Sequence, residues 1–99
     1  MMLLDTGASD SWIRGDIADR LELPIAGLDS IARFSGLSTA YQYVADAELW
    51  LDTPYLLEDF QLFRFDPGSD RINGILGRDV LALGQFILDG PAGTFSFRI

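Results

Sequence analysis

The chain has 99 residues, 48% of them apolar and 22% charged, which suits one small folded domain with one modest core. Fifteen acids stand against seven arginines, and the net charge of −8 disfavours nucleic-acid phosphates and anionic membranes as partners. Lysine, histidine and cysteine are all absent, which excludes Schiff-base chemistry, an imidazole base, disulfides and the usual zinc ligands. Hydrolysis by this chain must therefore use carboxylates, hydroxyls, backbone amides or a hard metal. No apolar run approaches the roughly 20 residues a membrane-spanning helix needs. Nothing in the residues fixes a compartment. A cytoplasmic location is favoured, and the abrupt start is compatible with a removed upstream targeting or anchoring segment.

Taken in chain order, Met1 to Leu4 read as the end of a buried strand, and Asp5-Thr6-Gly7-Ala8-Ser9 as a tight loop. "GDIADRLELP" then reads as a helix, with Asp16 at its N-cap, apolar Ile17, Ala18 and Leu21 on one face, and Pro24 beyond its end. Asp16 and Arg20 fall four apart and support it slightly. From Ile31 the pattern turns to β. "IARF" leads through the turn-like tetrad Ser35-Gly36-Leu37-Ser38 into "TAYQYVADAELWL", whose Tyr41, Tyr43, Ala45, Ala47, Leu49 and Leu51 share one face. "EDFQLFRF" is a further strand and "DPGSD" a loop. "INGILG" is a second apolar strand ending in glycine, and "RDVLAL" a short helix closed by Gly84. "QFILDGPAGTFSFRI" makes two strands around a Gly-Pro-Ala-Gly turn. The expected fold is mostly β with two short helices, in a single domain spanning 1–99.

Two similar units stand out: an apolar strand running into Asp5-Thr6-Gly7, and another running into Gly77, each followed by a helix. On these residues the chain resembles the retropepsin-like aspartic proteases, the single-domain class of retroviruses and their cellular and bacterial relatives. Leu3-Leu4-Asp5-Thr6-Gly7-Ala8-Ser9 matches the catalytic loop, Ser35-Gly36-Leu37-Ser38 falls where the family has its flap tip, and Ile75-Leu76-Gly77-Arg78-Asp79-Val80-Leu81 matches the apolar-apolar-Gly segment with its helix. D-T-G by itself is a weak signal that any turn can supply. The strand before it, the Ala-Ser behind it, the second glycine motif and the room for a flap between them make it specific.

The resemblance implies a retropepsin-like acid-protease half-barrel that works as a two-fold homodimer on a peptide or protein substrate, with no cofactor and no metal. Two carboxylates in contact share one proton, so one can deprotonate a water while the other protonates the scissile carbonyl. Only one D-T-G is present, and Asp79 stands two residues past Gly77 on the helix, so the second catalytic aspartate must come from a second copy. Gly7 is expected to let the backbone pass close to the carboxylate, and Thr6 to bond across to its counterpart loop. The Gly36 hairpin is expected to be a flap; an ordinary surface hairpin is the plainer alternative. Arg78 matches an arginine that pairs with an acid near the catalytic loop, with Asp10 the nearest candidate, or else a solvated surface arginine. Trp12 and Ile13 read as core, Trp50 as core or interface, and Tyr41 and Tyr43 as strand packing rather than subsite walls. Ala8 offers no hydroxyl to favour an ionised pair, so the pH optimum should be less acid than pepsin's. Family members carry a further strand or hairpin ahead of the catalytic-loop strand, which implies that this N-terminal element is missing here, while Phe95 to Ile99 remain available to pair across the two-fold axis. The principal rival is a non-catalytic dimerisation or peptide-binding module of the same fold. An acidic metal-binding domain is disfavoured by the scattered acids.

Overall fold

A computed structural model describes residues 1–33, 36–68 and 71–99. Among these residues eight strands and two short helices follow in order: β1 (Met2–Leu4), β2 (Trp12–Arg14), α1 (Gly15–Arg20), β3 (Ile25–Arg33), β4 (Gly36–Trp50), β5 (Pro54–Phe65), β6 (Gly74–Leu76), α2 (Arg78–Leu81), β7 (Gln85–Asp89) and β8 (Thr94–Arg98). The mostly β architecture with two short helices is the one expected. Six strands form a mixed sheet in the order β1-β6-β2-β5-β4-β3, and β7 pairs with β8 in a separate hairpin.

The position of β6 decides the rest. It inserts between β1 and β2, parallel to the first (Met2↔Gly74, Leu4↔Leu76) and antiparallel to the second (Trp12↔Ile75). The two apolar segments that look alike in the sequence thus become neighbours, and the loops after them leave the sheet side by side. The strand β2, only three residues long, is absent from the sequence reading. It is too short to show alternation and exists because β5 and β6 pair with its two edges.

Pairing also lengthens the long hairpins. β3 starts at Ile25, not Ile31, because the chain from Ile25 pairs with β4 up to Arg33↔Gly36. β5 starts at Pro54, with Trp50↔Pro54 closing its hairpin. Between Ala45 and Ala47 the register slips: Asp46 faces both Glu58 and Asp59, Asp59 takes a positive φ of 49°, and its N–H donates to Asp46 Oδ1 at 3.0 Å. The extra residue lies on β5, so on β4 the expected alternation persists past the bulge, with Ala45, Ala47 and Leu49 half-buried and Asp46, Glu48 and Trp50 exposed. Helix α1 begins one residue before the expected cap. Arg14 occupies the cap position, and Asp16 instead lies in the first turn, bonded to Arg14.

The core gathers Ala18, Tyr43 and Leu62, with Ile13, Leu23 and Phe60 packed around them. Trp12 stacks at a tilt on Phe63, ring centres 5.2 Å apart. Tyr43 is buried, as strand packing requires, and its hydroxyl accepts from Arg64 at 3.2 Å. Arg64 also donates to Asp19 at 2.9 Å and to the Gly15 carbonyl, which docks α1 on β5. Trp50 is 79% exposed at the β4–β5 turn, so the core reading does not hold for it. No helix among the described residues is long and apolar enough to cross a membrane.

Candidate active site

Asp5 follows the last residue of β1 and is half-buried. Its N–H donates to the Leu76 carbonyl at 3.0 Å, which fixes the start of the loop to the end of β6. Its Oδ1 accepts the Gly7 N–H at 2.8 Å, and its carbonyl accepts the Ala8 N–H at 3.2 Å. The carboxylate is thus held by its own loop, and among the described residues Oδ2 meets no donor. A Cβ on Gly7 would lie 3.1 Å from Oδ1, so a side chain there would press on the carboxylate, as expected from the sequence. Thr6 is exposed, and its hydroxyl has no partner among the described residues.

The second glycine loop holds the first in place. Arg78 N–H donates to the Ala8 carbonyl at 2.8 Å, and the Arg78 guanidinium donates to the Thr6 carbonyl at 2.9 Å. The arginine therefore clamps the backbone of the D-T-G loop. It does not bond to Asp10, whose Oδ2 takes the Ser9 hydroxyl at 3.0 Å. Gly77 is buried against this loop: a Cβ there would strike the Asp10 carbonyl oxygen and stand 2.8 Å from that of Ala8. Two backbones meet here with no space for a side chain.

Asp79 and Ser11 are the residues that sequence reasoning passed over. Asp79 turns inward, where Oδ1 accepts the Ser11 hydroxyl at 2.7 Å and the Val80 N–H at 2.9 Å, while Oδ2 accepts the Ser11 N–H at 3.1 Å. The Ser11 hydroxyl accepts in turn from Gly77 N–H at 3.1 Å. An acid in the first turn of a helix, matched by a lone serine ahead of an apolar strand, was the only signal available.

Of the flap residues, Ser35 lies outside the described residues. Gly36 opens β4 at a positive φ of 111°, and Leu37 and Ser38 follow it within the strand, so the described β3–β4 pairing runs as far as Arg33↔Gly36. Tyr41 on the same hairpin is exposed. Beside the D-T-G loop lies an apolar hollow of about 360 Å³ lined by Met2, Leu3, Thr6, Phe86, Leu88 and Phe95. A larger hollow of about 700 Å³, between the β4–β5 turn and the end of β8, includes no residue of either glycine loop. No group of three or more potential metal-ligating side chains converges among the described residues.

A sequence model of the family described as aspartyl protease matches residues 1–80, which takes in both glycine loops and the strands between them. No curated protein sequence matches the chain.

Proposed function

The chain belongs to the aspartyl protease family, and from that premise we propose that it is an endopeptidase whose catalytic pair is Asp5 of one chain and Asp5 of a second. The observation that carries this reading is the unequal fate of the two acids at the paired glycine loops. Among the described residues Asp5 keeps one carboxylate oxygen without a donor, whereas Asp79 is committed to three donors inside the fold. Of the two acids at these loops, one chain therefore supplies one that is available, and a dyad needs two. The exposed Thr6 hydroxyl and the apolar hollow that includes Thr6 fit a surface that meets a counterpart loop.

In the assembled pair, like charges in contact leave one proton shared between the two carboxylates. The ionised Asp5 removes a proton from a water whose oxygen attacks the peptide carbonyl carbon, and the protonated Asp5 gives its proton to the carbonyl oxygen. Collapse of the resulting diol breaks the C–N bond as a proton passes to the departing nitrogen. The β3–β4 hairpin around Gly36 closes over an extended substrate of about six to eight residues and adds it as a strand. Gly7, Ala8, Gly77 and Arg78 hold the loop, and Asp10 lies at its edge.

Asp5→Asn tests the chemistry: cleavage of a peptide library should stop while circular dichroism and sedimentation stay as in the wild type. A peptide-binding module would keep its binding and show no cleavage in either form. Co-refolding wild type with an excess of D5N tests the shared pair. Activity should fall with the square of the wild-type fraction, and a fall in simple proportion would refute a two-chain site.

A further inference from the structure

We propose that Ser11 and Asp79 form a positioning couple that fixes where the Asp5 carboxylate stands, a role that rests on the endopeptidase reading above. The Ser11 side chain is fully buried at 0% exposure, where an unpaired hydroxyl would be costly. It is satisfied in both senses, donating to Asp79 Oδ1 and accepting from Gly77 N–H. The Ser11 backbone is engaged as well: its N–H donates to Asp79 Oδ2, and its carbonyl accepts the Phe63 N–H at 3.0 Å. One residue thereby ties the exit of the D-T-G loop to the Gly77 loop, to α2 and to β5.

The loop between Asp5 and Ser11 is pinned at each end to the same short segment. Its entrance is held by Asp5 N–H on the Leu76 carbonyl, its middle by Arg78 on the Thr6 and Ala8 carbonyls, and its exit by Ser11 on Gly77 and Asp79. Moving the exit shifts the backbone that carries the Gly7 N–H, the donor that orients Asp5. Packing alone does not require this chemistry, because the neighbouring Val80 and Leu81 are buried apolar side chains. A carboxylate facing three donors specifies one geometry, which a pair of apolar residues would not.

The test uses Ser11→Ala, Asp79→Asn and the double variant in the full chain, with melting and sedimentation measured on the same samples. For folded dimer, kcat for a peptide cut by the wild type should drop by up to about 100-fold in S11A while KM stays within about twofold. D79N, which keeps an oxygen for two of the three donors, should lose less, and the double variant should be no worse than S11A because the two act as a unit. In parallel, the Gly7 amide proton should shift and exchange faster by about tenfold, with the Tyr43 amide unchanged. If S11A does not fold, D79N carries both measurements. An unchanged kcat per folded dimer, or an unmoved Gly7 amide, overturns the proposal even if the melting temperature drops. A wild type that cuts nothing while its Gly7 amide answers to D79N sinks the endopeptidase reading and upholds the couple.

Discussion

At Gly77 two carbonyl oxygens, those of Ala8 and Asp10, occupy the space a side chain would need; the first is pinned by the Arg78 N–H and the second through the adjoining Ser11 N–H on Asp79. Gly77→Ala should therefore destabilise the fold by about 1–3 kcal/mol, read as a lower urea midpoint with an unchanged slope. Ala8 offers a test of the opposite kind, one of chemistry without loss of fold. A hydroxyl placed there by Ala8→Ser can donate toward an ionised carboxylate and favour that form, so the acid limb of the pH–rate profile should move to lower pH. A limb that moves up, or stays, would show that the residue after D-T-G does not face the pair. The two facing loops of the candidate site were legible in the sequence through Asp5, Thr6 and Gly7 in one and Gly77 in the other, because a tight backbone approach dictates glycine at fixed spacing. Arg78 was legible as a residue near the loop, although its bond goes to a carbonyl oxygen that no sequence pattern marks. Ser11 and Asp79 were hidden because they lie 68 residues apart and meet only once β6 has entered between β1 and β2.

Among the elements, those with their own periodicity were readable, and those made by a neighbour were not. The C-terminal hairpin β7–β8 announces itself through a turn of Gly90 to Gly93, with Gly93 at a positive φ of 66°. The three-residue β2 and the first two-thirds of β3 carry no such pattern, since their strand conformation comes from ladder bonds supplied by β4, β5 and β6. The helix α1 is an intermediate case: its apolar spacing showed it, but its start was set by a charge pair. Arg14 holds the exposed Asp16 carboxyl below its ordinary value of 3.8, and Arg20 lies 3.8 Å from the same group. A lowered value in the folded state means that the ionised form supports folding above pH 3.8 and that this support is lost as the pH falls through the lower folded value. Asp16→Asn should thus be less stable than wild type at neutral pH, and the two unfolding curves should converge in strong acid. A constant gap across that range would mean that Asp16 acts through something other than its charge.

For the molecule as a whole, the proposed pairing raises the question of what would hold two such acidic chains together. One face of the β7–β8 hairpin presents Phe86, Leu88, Phe95 and Phe97, set directly opposite one another in the pairing, and Leu88 and Phe95 remain 71% and 61% exposed. That face adjoins Met2, Leu3 and Thr6 in the hollow beside the D-T-G loop, where the proposed two-fold mate would sit if Asp5 is to meet its counterpart. Each substitution counts twice in a symmetric interface, so Phe95→Glu should weaken dimerisation by about 3 kcal/mol or more, leaving a folded monomer without activity. Against this apolar attraction stands a net charge of −8 on each chain. Raising salt from about 20 mM to about 300 mM shortens the screening length from about 20 Å to about 6 Å and so removes repulsion between the partners without touching their apolar contact. Sedimentation should accordingly show a dimer that tightens with sodium chloride, and specific activity at low protein concentration should rise in step with dimer fraction. A dimer that loosens with salt would instead place ion pairs, not this hairpin face, at the centre of the assembly.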